Sequence, residues 1–273
     1  MKGVRQLRVA ARMDLTVMLA SRGQALTWLA TDFLSYTSGI AAVLLMAERF
    51  NGIAGWSKPE LVFLVGFATF AAALRQTFFN YNISSISRRV GRGQLDHSLI
   101  QPQPLLLSFL TEGFSPFSSL GALVPGVALL ATGVAWTGLD VSPAVVTKLA
   151  ICLGASMTIV LAGSFALGAA AFWAPRGAEE ISTRASSLLG LTDFPLDPVP
   201  AGLRAVLLTA IPAGFVAWFP VGALLGRRPE SQWVITPIVA VVAALLAARL
   251  FQKGIRHYER TGSSRYASFG HRR

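Results

Sequence analysis

Four stretches of this chain run uncharged for lengths that match the hydrocarbon core of a bilayer. Between Glu112 and Asp140 lie 27 uncharged residues, and between Lys148 and Arg176 another 27. Between Arg204 and Arg227 there are 22, and between Glu230 and Arg249 there are 18. A helix needs about 20 apolar residues to cross that core. Two further segments, 25–47 and 59–81, are equally apolar and carry one interior charge each, Asp32 and Arg75. Lipid is therefore the solvent for most of this sequence. Composition agrees: 14% of the 273 residues are charged, against roughly 25% in soluble domains, and the mean hydropathy is +0.55.

The net charge is +11, and the positions of the charges decide what it means. Lys2, Arg5, Arg8, Arg12 and Arg22 precede the first apolar segment, and Arg88, Arg89 and Arg92 share one loop. Arg249, Lys253, Arg256, Arg260, Arg265, Arg272 and Arg273 close the chain. Short loops rich in Lys and Arg stay on the cytoplasmic side. Nucleic acid is not an expected partner, because no base-reading or aromatic module accompanies the basic tails. The one cysteine, Cys152, lies in an apolar run and reads as a small buried side chain. His97, His257 and His271 match no metal-ligand spacing.

The first segment is not read as a cleaved signal, since residues 2–22 hold no long apolar run. Arg5, Arg8 and Arg12 recur at helical spacing, while Val4, Leu7, Ala11, Leu15 and Met18 fall on another face. That pattern fits a helix lying on the cytoplasmic leaflet, or a solvated helix packed on another subunit.

Six spans are predicted: about 25–47, 59–81, 113–136, 144–173, 177–193 and 232–253. Asn51, Gly52, Gly55 and Trp56 suit an interfacial turn after the first span, and 105–111 an interfacial elbow before the third. The fifth span carries Glu179, Glu180 and Arg184, so it must face other helices or a water-filled path. Without it the chain has five spans and the seven basic C-terminal residues lie outside, against the positive-inside rule. With six, sixteen Lys and Arg lie inside and five outside. The string FPLDPVP, 194–200, excludes a helix interior. The apolar stretch 201–226 is broken by Pro212 and Pro220 and is expected as two half-helices that dip in and return. The fold class expected is all-α: a polytopic membrane protein of six transmembrane helices, with an N-terminal interfacial helix and a re-entrant helical hairpin before the last span.

Charged groups at membrane depth are costly and usually functional. Asp32, Glu112 and Asp193 lie near predicted ends, where snorkelling to the headgroups accounts for them. Glu179, Glu180 and Arg184 are the substrate-path candidates, and an acidic lining would favour a cationic substrate. The spacing of Glu180 and Arg184 equally fits a pair within one helix. Gly154, Thr158, Ala162, Ala166 and Ala170 form a small-residue stripe for close helix packing. Phe78, Phe79 and Tyr81 read as an aromatic belt. No nucleophile–base pair, carboxylate pair or metal-ligand cluster supports catalysis by this chain, so it is not expected to be an enzyme by itself.

The string RRVGRGQLDHSLIQPQP, 88–104, resembles the loop after span two in a bacterial branch of the ABC-2 type permeases, with Gly93, Leu95, Asp96, Leu99 and Pro102 in the matching places. Phe194, Pro195, Leu203, Arg204, Ile211 and Pro212 match that branch's external region, and Tyr258 and Gly262 its ending; Thr261 departs from the usual small residue. The resemblance implies one ABC-2 type transmembrane domain over 1–273: interfacial helix 2–22, cytoplasmic coupling loop 82–104, external re-entrant region 194–230 and cytoplasmic tail 254–273. It implies a multi-pass permease of the bacterial inner membrane with both termini cytoplasmic, exporting a substrate with ATP hydrolysed by a separate cassette ATPase. ATP and magnesium would sit in that partner and none in this chain, which has no Gly-x-x-x-x-Gly-Lys-Ser/Thr element. A second permease chain, identical or homologous, would complete the pore. Arg88, Arg89, Arg92, Gly93, Leu95, Asp96 and Leu99 would form the ATPase-coupling element, and Phe194, Pro195, Arg204 and Pro212 an external gate. For the loop itself, a solvated segment whose arginines only fix topology is the alternative. For the whole chain, the alternatives are a secondary transporter driven by an ion gradient and a lipid-modifying membrane enzyme. The first would want inverted repeats and the second a catalytic constellation, and neither is present in the sequence.

Overall fold

In the computed structural model the residues described are 2–49, 52–79, 89–90, 95–101, 105–174, 180, 192 and 194–261. Among them the chain is all helix and turn, and five helices are long and apolar enough to cross a membrane. The other α-helices are α1 (Lys2–Ala20), α4 (Leu95–Leu99), α5 (Leu105–Glu112), α8 (Ala201–Leu208) and α9 (Trp218–Leu224). The long ones are α2 (Arg22–Arg49), α3 (Lys58–Phe79), α6 (Leu120–Thr137), α7 (Pro143–Ala169) and α10 (Ile235–Thr261). This is a polytopic all-α membrane protein.

Lipid gives helices no hydrophobic reason to associate, so close packing has to hold them together. Antiparallel α3 and α6 achieve it through glycines. A Cβ at Gly133 would stand 2.5 Å from the Phe63 Cα, and one at Gly66 would stand 2.7 Å from the Leu130 Cα. Gly126 meets the backbone of Phe70 in the same way. Helices α7 and α10 use alanines seven apart, Ala155, Ala162 and Ala169 on one and Ala240 and Ala247 on the other, all buried. The buried small residues of α7 differ from the stripe read from the sequence. Gly154 is exposed with nothing near its Cβ position, and only Ala162 is common to both stripes. A four-residue spacing drifts around a helix, and the seven-residue one stays on the contact face.

Helices α7 and α10 run parallel. Both begin near the Lys148–Glu230 pair, and α7 ends where Phe172 meets Phe251 of α10, with ring centroids 5.7 Å apart. Trp173, just beyond α7, stacks on His257 at that far end. Asp197 lies at the near end, where it bonds Trp56 ahead of α3. The predicted fifth span, 177–193, lies outside the described residues apart from Glu180 and Thr192. Its described flanks sit at opposite ends of the bundle, as an even number of crossings requires.

Helix α8 and the segment Pro212–Leu224 are bent by 69° at the break. Before the bend, Asp197 bonds Trp56; after it, the Arg227 guanidinium lies 4.6 Å over the same Trp56 ring. The pair therefore returns to the end it started from and is the expected re-entrant hairpin.

One boundary needs correction. The third span starts at Leu120 rather than 113, because residues 113–119 form a turn held by polar bonds. Ser115 N–H donates to the Thr77 carbonyl at 2.8 Å, and the Phe117 and Ser118 N–H groups donate to Asp14 of α1 at 2.7 and 3.1 Å. The turn expected after the first span is present, and its Trp56 is 2% exposed, covered by the hairpin. Helix α1 does present Arg5, Arg8 and Arg12 outward and turns Leu7, Ala11 and Met18 inward, but Val4 and Leu15 are exposed.

Candidate functional site: the coupling end and the re-entrant end

At the Tyr258 end, Leu95 is fully buried beside Val90, Phe109, Phe165, Phe172, Phe251 and Tyr258. The Tyr258 hydroxyl donates to Asp96 Oδ1 at 2.8 Å. Phe109, Phe165 and Phe251 meet edge to face, with centroids 5.5–6.5 Å apart. A Cβ at Gly254 would stand 2.1 Å from the Phe172 ring, so glycine is what lets that ring close on α10. The short helix α4 is thereby fastened to α7 and α10, while Leu99 and Ile100 remain exposed, Ile100 at 81%.

The predicted coupling residues divide on this geometry. Leu95 faces the protein, Asp96 is exposed while it accepts from Tyr258, and Leu99 faces outward. The Arg89 guanidinium lies 5.1 Å over the Phe109 ring, so it is engaged within the chain. Arg88, Arg92 and Gly93 lie outside the described residues. Tyr258 and Asp96 were matched separately in the sequence, and folding joins them.

At the other end Asp197 is the hub. Its Oδ2 accepts from Trp56 Nε1 at 2.7 Å and from Trp218 Nε1 at 2.8 Å. Arg204 Nη1 donates to the Asp197 carbonyl at 3.3 Å. Arg228 stacks on Trp218 at 4.2 Å and on Phe219 at 4.6 Å, and burial holds its pKa below the ordinary guanidinium value, with the Asp197 charge opposing part of that shift. Arg227 pairs with Glu60 at 2.9 Å. Phe194 is partly exposed at the rim, and Pro212 opens the turn between the half-helices. The sequence reading chose Phe194, Pro195, Arg204 and Pro212 and missed Asp197, Trp56 and Trp218. The available signal was a lone carboxylate between Pro195 and Pro198, in a region with few other acids.

Of the substrate-path candidates, Glu180 is exposed, and Glu179 and Arg184 lie outside the described residues. Asp32 lies level with the start of α6 and accepts from Gln76 Nε2 at 2.7 Å, so α3 supplies its polar partner. Arg75 lines a cavity of about 340 Å³ between α2, α3 and α7. Among the described residues no group of His, Cys, Asp and Glu could hold a metal.

No curated protein and no solved structure matches the chain. A family model described as ABC-2 family transporter protein matches residues 29–262. That match takes in most of α2, the other four long helices whole, both fastened ends and the re-entrant hairpin, and the chain belongs to the ABC-2 family of transporters.

Proposed function

We propose that this chain is the permease subunit of an ATP-driven exporter of the bacterial inner membrane, with a separate cassette ATPase docking at the Tyr258 end. The observation that carries the reading is the α4 anchorage. A short helix is bonded to α10 through Asp96 and Tyr258, packed on α7 through Leu95, and leaves Leu99 and Ile100 exposed. A push on that apolar tip moves both membrane helices, because a packed aromatic cluster transmits displacement. The basic residues of α1 and of the last turns of α10 share this side of the bundle, which supports a cytoplasmic assignment.

ATP and magnesium belong to the partner in this reading, and a second permease chain, identical or homologous, completes the pathway. Arg88 and Arg92 supply positive charge for carboxylates on the ATPase. Outward transport follows from the family resemblance. Co-expression with the neighbouring reading frames, followed by purification on this chain, tests the proposal. The expected result is a stable complex containing a Walker A subunit with ATPase activity. A chain that purifies folded and alone overturns it.

A further inference from the structure

We propose that the cavity at Arg75 is a binding site for an anionic amphiphile bearing a carboxylate or phosphate headgroup. The inference deepens the permease reading, on which it rests for the ligand's being cargo. The cavity, about 340 Å³, lies between α2, α3 and α7, with Thr192 and Val216 also lining it, and Ser35, Tyr36, Thr69 and Ser156 are its hydroxyl-bearing residues from those helices. Among the described residues Arg75 is the only charged side chain that lines it. That volume is within the range of small-molecule sites.

Two observations make Arg75 a ligand group rather than half of a buried pair. Among the described residues it forms no ion pair. The nearest acid on α2, Asp32, is bonded to Gln76 and does not line the cavity. The direction of the helix matters too. Helical side chains lean toward the N-terminus of their helix, and α3 runs from the Trp56 end to the Thr77 end, so Arg75 leans into the bundle rather than toward the nearer surface. A guanidinium held at that depth needs an anion, and its fork suits carboxylate and phosphate oxygens. The aliphatic remainder of the wall, with Ile40, Val65 and Val160, takes the apolar part. This reverses the cationic substrate expected from Glu179 and Glu180.

The test is titration of the full chain in phosphatidylcholine nanodiscs with dodecyl phosphate and, separately, dodecyltrimethylammonium. The expected result is saturable binding of the phosphate alone, weakened roughly tenfold or more in Arg75→Gln and largely kept in Arg75→Lys. Gly39 also lines the cavity, and a Cβ there meets nothing within 4 Å, so Gly39→Leu fills the space without a clash at its Cβ. It should also abolish binding, and it decides the matter if Arg75→Gln does not fold. Repeating the titration with phosphatidylglycerol in the discs identifies the source. Competition means a lipid headgroup occupies the site, and its absence means a free amphiphile does. No binding by the wild type, equal binding of the cation, or undiminished binding by both Gly39→Leu and Arg75→Gln overturns the proposal. The assay needs no ATPase, so its outcome is separate from the co-purification.

Discussion

Tyr258 and Asp96 stand 162 positions apart and meet through a single hydrogen bond. Such a bond to a charged acceptor contributes about 1.5–3 kcal/mol. Tyr258→Phe removes the donor and keeps the ring against Phe172, so the fold persists while α4 loosens. ATPase activity of the purified complex should fall roughly fivefold or more; unchanged activity would mean that α4 carries no force. Asp197 works differently, because it satisfies two indoles at once. Asp197→Ala leaves two largely buried N–H groups unpaired, at about 1–3 kcal/mol each. Thermal unfolding in detergent should show a clear loss, and proteolysis within 194–230 should accelerate.

At the scale of helices, glycines divide by what they touch. Gly133→Ala drives a methyl into the Phe63 backbone, which no rotamer change relieves. A loss of about 2 kcal/mol or more is expected, with α3 and α6 forced apart. Gly154→Ala meets nothing within 4 Å and should stabilise α7 by about 0.5–1 kcal/mol. Thermal midpoints of the two variants, measured side by side, check the contrast. Spacing alone singles out Gly154, because spacing does not show which face of a helix meets a neighbour.

For the whole molecule, the parallel run of α7 and α10 fixes which ends belong together. Residues 12 and 260 lie at one end, and residues 140 and 228 at the other. In a Cys152→Ser background, single cysteines placed at Arg12 and Arg260 should react with an impermeant maleimide from the same side of sealed vesicles. Cysteines at Asp140 and Arg228 should react only from the opposite side. Labelling of 12 and 260 from different sides would rule out the even number of crossings. Much of this architecture was legible beforehand. Uncharged runs set the long helices, and Pro212 marked the break between the half-helices, since a proline has no N–H for a helix interior; Pro220 falls in the first turn of α9, where that donor is not needed. The turn at 113–119 was not legible, because its stability comes from Asp14, about a hundred positions away.

The sequence by itself determined that the chain lives in lipid, roughly where its long helices lie, and which ends are basic. Those properties follow from local composition, since a bilayer responds to the hydropathy of each segment separately. Only the tertiary structure decided that Asp197 joins Trp56 to Trp218, that Asp96 meets Tyr258, and that Arg75 faces a cavity while Asp32 faces Gln76. Each depends on the rotation of one helix against another, and that rotation is set by packing between distant residues.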